Sequence, residues 1–97
     1  MSSRITKQQL QNLLDRINQA TGHTLEPWTQ DETGRPRANV GTYVLDWAYG
    51  GVRLSQLTNE SGAERDITGL GTKRETYCRM QGFLDGIYAT RWEKVSV

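Results

Sequence analysis

The stretch that decides the fold is Thr42-Tyr43-Val44-Leu45-Asp46-Trp47-Ala48-Tyr49-Gly50-Gly51-Val52-Arg53-Leu54-Ser55-Gln56-Leu57-Thr58. From Thr42 to Trp47 it alternates. Tyr43, Leu45 and Trp47 share one face, and Thr42, Val44 and Asp46 the other. Period two is the mark of a strand with one buried face. A second apolar set runs from Val52 to Thr58. Between the two sets, Gly50-Gly51 is suited to the positive φ angles of a tight hairpin turn. Asn59-Glu60-Ser61-Gly62 reads as a second turn, leading to a more polar third strand over Ala63 to Thr68. Arg65 and Asp66 in that strand mark it as a sheet edge.

Helices flank this meander. Leu10, Leu13, Leu14 and Ile17 fall on one face of a helix predicted from Lys7 to Thr21. Thr6 and Gln9 have capping-box spacing, Ile5 and Leu10 occupy the staple positions, and Gly22 suits the residue just past the helix end. A second helix starts at Thr72, again with a capping-box partner at Glu75. Its apolar stripe is Tyr77, Met80, Phe83, Leu84, Ile87 and Tyr88. Gly82 and Gly86 weaken it and offer close approach to the sheet. Arg91 suits its C-terminal end, and the tail 92–97 is expected to add a short strand or fray. The chain is thus expected to be α+β. Residues 1–97 form one domain of αβββα order, with both helices on one face of a three-stranded antiparallel sheet. Residues 22–39, punctuated by Gly22, Pro27, Gly34 and Pro36, read as a long loop tied down by Leu25 and Trp28.

Composition narrows the function. The 97 residues carry 12 basic and 11 acidic side chains, for a net charge of +1. Bulk charge therefore points to neither nucleic acid nor membrane. Mean hydropathy is −0.70. No apolar run approaches the roughly 18 residues of a membrane span, and the N-terminus lacks the apolar core of a signal peptide. The expected location is the cytoplasm. One cysteine excludes an internal disulfide, and one histidine excludes a His-rich metal site. No cofactor or metal is expected.

Candidate chemistry is sparse. A nucleophilic mechanism needs His23, which lies beside Gly22 past a helix end, where a surface or capping role is the simpler reading. Cys78 lies in the second helix beside the Tyr77 stripe and reads as a half-buried thiol serving as a small hydrophobe. The pairs Asp31-Glu32 and Glu64 with Asp66 read as solvated charges. No catalytic residue is assigned. Gly69-Leu70-Gly71-Thr72-Lys73-Arg74 runs into a helix N-terminus and resembles an anion-binding turn, but it lacks the third glycine of a dinucleotide fingerprint and P-loop spacing. A capped strand-to-helix turn accounts for it more simply.

Aromatic residues are the stronger signal. Three tryptophans and four tyrosines are many for this length. Periodicity assigns Trp47, Tyr43 and Tyr77 to the core. Trp28, Tyr49 and Trp92 are harder to bury together, and are either exposed anchors for a protein partner or are covered by the long loop. The expected assembly is a monomer or homodimer.

The alternative is nucleic acid. The αβββα order over about residues 5–90 is similar to that of the double-stranded RNA-binding domain, and Lys73-Arg74 falls where that family places phosphate-contacting lysines. The candidate phosphate contacts are Arg35, Arg37, Arg53, Lys73, Arg74 and Arg79. Three features depart from the family, one being a charge that is near neutral rather than basic. Thr76, Tyr77 and Cys78 follow where a third basic position belongs, and a tight turn replaces the family's long groove-entering loop.

One further pattern spans roughly residues 40–90. Tyr43-x-Leu45-Asp46-x-Ala48-Tyr49-Gly50-Gly51-x-x-Leu54 leads to Asn59-Glu60-Ser61-Gly62 and Asp66-Ile67, then to Lys73-Arg74-Glu75-x-Tyr77 and Gly82-Phe83-Leu84-x-Gly86. It resembles small accessory proteins of tailed bacteriophages and prophages. The resemblance implies a non-enzymatic protein of the bacterial cytoplasm that binds a host or phage macromolecule, with inhibition of a host system among the roles of such proteins.

Overall fold

The computed structural model describes residues 4–95, with side chains described as far as Thr90. The elements are α1 (Lys7–Ala20), β1 (Trp28–Gln30), β2 (Pro36–Ala38), β3 (Tyr43–Ala48), β4 (Gly51–Leu57), β5 (Glu64–Asp66) and α2 (Lys73–Val95). Strands β3, β4 and β5 form an antiparallel sheet in that order. Helix α1 packs on β3, α2 packs on β4, and the helices pack on each other. This is the expected αβββα frame of one small α+β domain.

Both capping boxes form. Thr6 Oγ1 accepts from Gln9 N at 3.1 Å while Thr6 N donates to Gln9 Oε1 at 2.8 Å. Glu75 N donates to Thr72 Oγ1 at 3.1 Å, and Thr72 N donates to Glu75 Oε1 at 3.0 Å. The core joins Leu10, Leu13, Leu14 and Ile17 of α1 to Tyr43, Val52 and Leu54 of the sheet and Met80 and Leu84 of α2. Tyr43 pairs with Gln56, Leu45 with Leu54 and Trp47 with Val52, so one sheet face meets both helices.

Two buried polar side chains fasten helices to sheet. Asn18 Nδ2 donates to Tyr43 O at 3.0 Å, and Tyr43 N donates to Asn18 Oδ1 at 2.8 Å. Thr76 Oγ1 donates to Val52 O at 2.7 Å. Val52 also bridges to Gly71, through Val52 N to Gly71 O at 2.9 Å and Gly71 N to Val52 O at 3.1 Å. Gly71 thereby continues the line of β5 along β4.

Several local expectations change. Segment 22–39 is not a structureless loop. It holds the β1–β2 hairpin, in register Trp28↔Ala38 to Gln30↔Pro36. Asp31 builds its turn by accepting from Thr33 N at 2.8 Å, Thr33 Oγ1 at 2.6 Å and Arg35 N at 3.0 Å. The third strand is confined to Glu64–Asp66. Helix α2 continues through Val95, so Trp92 begins no strand. Residues 96 and 97 of the expected tail lie outside the described residues. Gly82 and Gly86 are exposed, with nothing within 4 Å of where a Cβ would stand. Met80 and Leu84 take the inward face, and the helical period turns both glycines to solvent. Cys78 is likewise exposed rather than half-buried.

Candidate binding surface

The surface begins at the β3–β4 turn. Ala48 pairs with Gly51, leaving Tyr49 and Gly50 as the two turn residues, at φ 51° and 75°. Consecutive positive φ angles identify a type I′ turn, whose twist matches that of the flanking strands. The turn therefore falls one residue earlier than Gly50-Gly51. Gly51 serves a different need, because a Cβ there would stand 2.8 Å from Gly71 O and 3.3 Å from Leu70 Cγ. The left-handed position falls to a tyrosine, at a cost of about 1–2 kcal/mol. Tyr49 is 99% exposed.

Its neighbours are partly apolar and partly cationic. Trp47 lies on the inner sheet face, as alternation requires, but is 44% exposed rather than core. The strand outruns the helix beneath it there, and the Lys7 ammonium sits 5.3 Å from the ring centroid instead. Lys7, Trp47, Tyr49 and Lys73 line one concavity. Lys73 and Thr72 also line a second, with Arg4, Ile5 and Arg74. On the other flank of the turn, Tyr49 and the exposed Leu70 border a third depression beside Asp46 and Arg53. The Val52–Gly71 bridge and the Thr76–Val52 hydrogen bond hold these pieces together, since they lock the N-terminus of α2 against the root of the hairpin.

The structure splits both sets of candidate residues. Tyr49 sits at this end. Trp28 belongs to β1, and its indole lies against Gly62 in the β4–β5 turn, so close that a Cβ on Gly62 would approach Trp28 Cη2 to 2.6 Å. Strand β4 separates the two turns by about 20 Å, so Trp28 and Tyr49 do not share a surface. The Trp92 side chain lies outside the described residues. Among the cations, Arg37 pairs with Asp31 and Glu60, both at 3.6 Å. Arg53 pairs with Asp46 at 2.8 Å and Asp66 at 4.0 Å, and Arg79 with Glu75 at 3.7 Å. Arg35 stands on the distal β1–β2 turn. Lys73 and Arg74 reach the hairpin end, and the acid-paired Arg53 borders it; Arg4, Lys7, Trp47 and Leu70 join them there. The sequence pattern missed those four because they come from three separate segments: the start of α1, β3 and the β5–α2 connection.

The carboxylates near this end are engaged. Glu75 is held below its ordinary pKa of 4.5 by the Thr72 N–H, the Thr72 hydroxyl and Arg79. His23 stands elsewhere, between the Thr21 hydroxyl at 2.8 Å and the edge of Tyr43, with Gly41 against its ring. That is a packing role. Among the described residues, no three His, Cys, Asp or Glu side chains gather as metal ligands. Among them too, no helix is long and apolar enough to cross a membrane. No protein-family model, curated protein or solved structure matches this chain.

Proposed function

We propose that this chain is a non-enzymatic binding module of phage-accessory type that docks a host or phage protein through the hairpin end. One observation carries the reading: Tyr49 is wholly exposed at the tip of a hairpin that holds it in a strained, left-handed conformation. Folding alone favours glycine or asparagine at that position. A tyrosine there adds no burial, so its contribution lies outside the fold. Tyr, Trp and Arg are also the residue types that dominate protein hot spots, and Tyr49, Trp47, Arg4 and Arg74 meet at this end.

The test is a tagged pull-down from bacterial lysate, split into nuclease-treated and untreated halves, with Tyr49→Asn as control. A stoichiometric protein that survives nuclease and is lost with Tyr49→Asn is the expected outcome. Capture that is unchanged by Tyr49→Asn overturns the location. Recovery only of material removed by nuclease transfers the argument to nucleic acid.

A further inference from the structure

Resting on that reading, we infer that the partner element taken by the hairpin end is an acidic protein segment with an apolar anchor. The anchor packs on Tyr49 and Trp47, and its carboxylates meet Lys7 and Lys73. The argument is one of charge complementarity. Lys7 opens α1 and Lys73 opens α2, yet both line the same concavity beside Trp47 and Tyr49. Among the described residues, neither lysine has an ion-pair partner within 4.0 Å. The carboxylates nearest in the chain are committed: Asp46 to Arg53, and Glu75 to Thr72 and Arg79. Positive charge thus rims an aromatic floor, on a molecule whose net charge is only +1. An interface with an apolar centre and a charged rim has this anatomy.

The same ion pairs argue against a nucleic-acid strand. A strand needs a cationic track along many phosphates. Arg53, Arg37 and Arg79 are tied to Asp46, Asp66, Asp31, Glu60 and Glu75, so these arginines do not extend the track. A short acidic segment matches the extent of the patch.

The experiment is selection of ribosome-displayed random dodecapeptides on the immobilised full chain. The expected peptides carry Asp or Glu beside an aromatic or aliphatic residue and fail to bind Tyr49→Asn. They weaken about tenfold on the Lys7→Gln/Lys73→Gln variant. They weaken again between about 0.1 M and about 1 M salt, as the screening length falls from about 10 to about 3 Å. Both lysines are exposed first-turn residues, so circular dichroism of the double variant should match the parent. Peptides that need Tyr49 but are neutral, or are indifferent to the double variant, overturn the acidic partner and leave the hairpin-end reading standing. Peptides that bind Tyr49→Asn undiminished, or no enrichment at all, overturn both. A thymidine oligonucleotide that displaces the selected peptides overturns the protein partner in favour of nucleic acid.

Discussion

The Thr76 hydroxyl donates to the Val52 carbonyl across 2.7 Å, and both residues are fully buried. This contact ties the first turns of α2 to the second residue of β4, next to the hairpin tip. It sets the distance between Lys73 and Tyr49. Replacing Thr76 with Val keeps the volume and removes the donor. Val52 O retains its bond from Gly71 N, so the loss should be about 1 kcal/mol. Urea denaturation measures it, and a shift in the amide signals of residues 49–51 should accompany it.

Asn18 holds more. Its carboxamide both donates to and accepts from Tyr43, the first residue of β3. Asn18→Leu leaves a buried N–H and a buried C=O without partners, each costing about 1–3 kcal/mol. For a domain of this size the sum is a large fraction of total stability. The variant should melt well below the parent or fail to fold, as thermal circular dichroism will show.

Tyr49 should separate stability from binding. Asn tolerates positive φ better than Tyr, so Tyr49→Asn should raise stability by about 0.5–1 kcal/mol while removing the exposed ring. Denaturation midpoint and partner capture should move in opposite directions. A destabilised Tyr49→Asn variant would show that the ring packs in the fold.

Acid should loosen the β1–β2 hairpin. The Asp31 carboxyl lies below its ordinary value of 3.8, chiefly through the Thr33 hydroxyl and then the Arg35 and Thr33 N–H groups. A depressed pKa contributes stability that is fully present above the unfolded value and is lost as pH falls through the folded one. Amide exchange at Thr33 and Arg35 should therefore be slowest at neutral pH and accelerate, relative to intrinsic rates, below about pH 4. In Asp31→Asn that acid dependence should vanish.

The legible parts of the fold carried redundant local signals. Helix α1 has a capping box and four inward residues, Leu10, Leu13, Leu14 and Ile17, that repeat at helical period. The β1–β2 hairpin has neither. Its strands are three residues each and mostly exposed, and it is held by the Asp31 turn, the Ala38 N to Glu60 O bond of 2.9 Å and the Trp28–Gly62 contact. None of those has a period. Trp47 shows the limit of alternation, which fixes the face of a side chain but not whether a helix extends far enough to cover it. The candidate surface was half legible. Tyr49, Lys73 and Arg74 stood out, whereas Lys7 and Trp47 became neighbours only through the way α1 crosses β3.

Among the described residues, no strand lies beside the outer edge of β3, where the sheet ends. Thr42 O accepts from Leu57 N, so the N–H and C=O of Tyr43 face outward from the sheet. The Asn18 carboxamide meets both, presenting one acceptor and one donor in the manner of a peptide group on a neighbouring strand. It stands in for the first residue of an absent fourth strand. Open edges recruit strands from other chains, so this single side chain also guards the first residue of that edge against growth of the sheet from one molecule into the next.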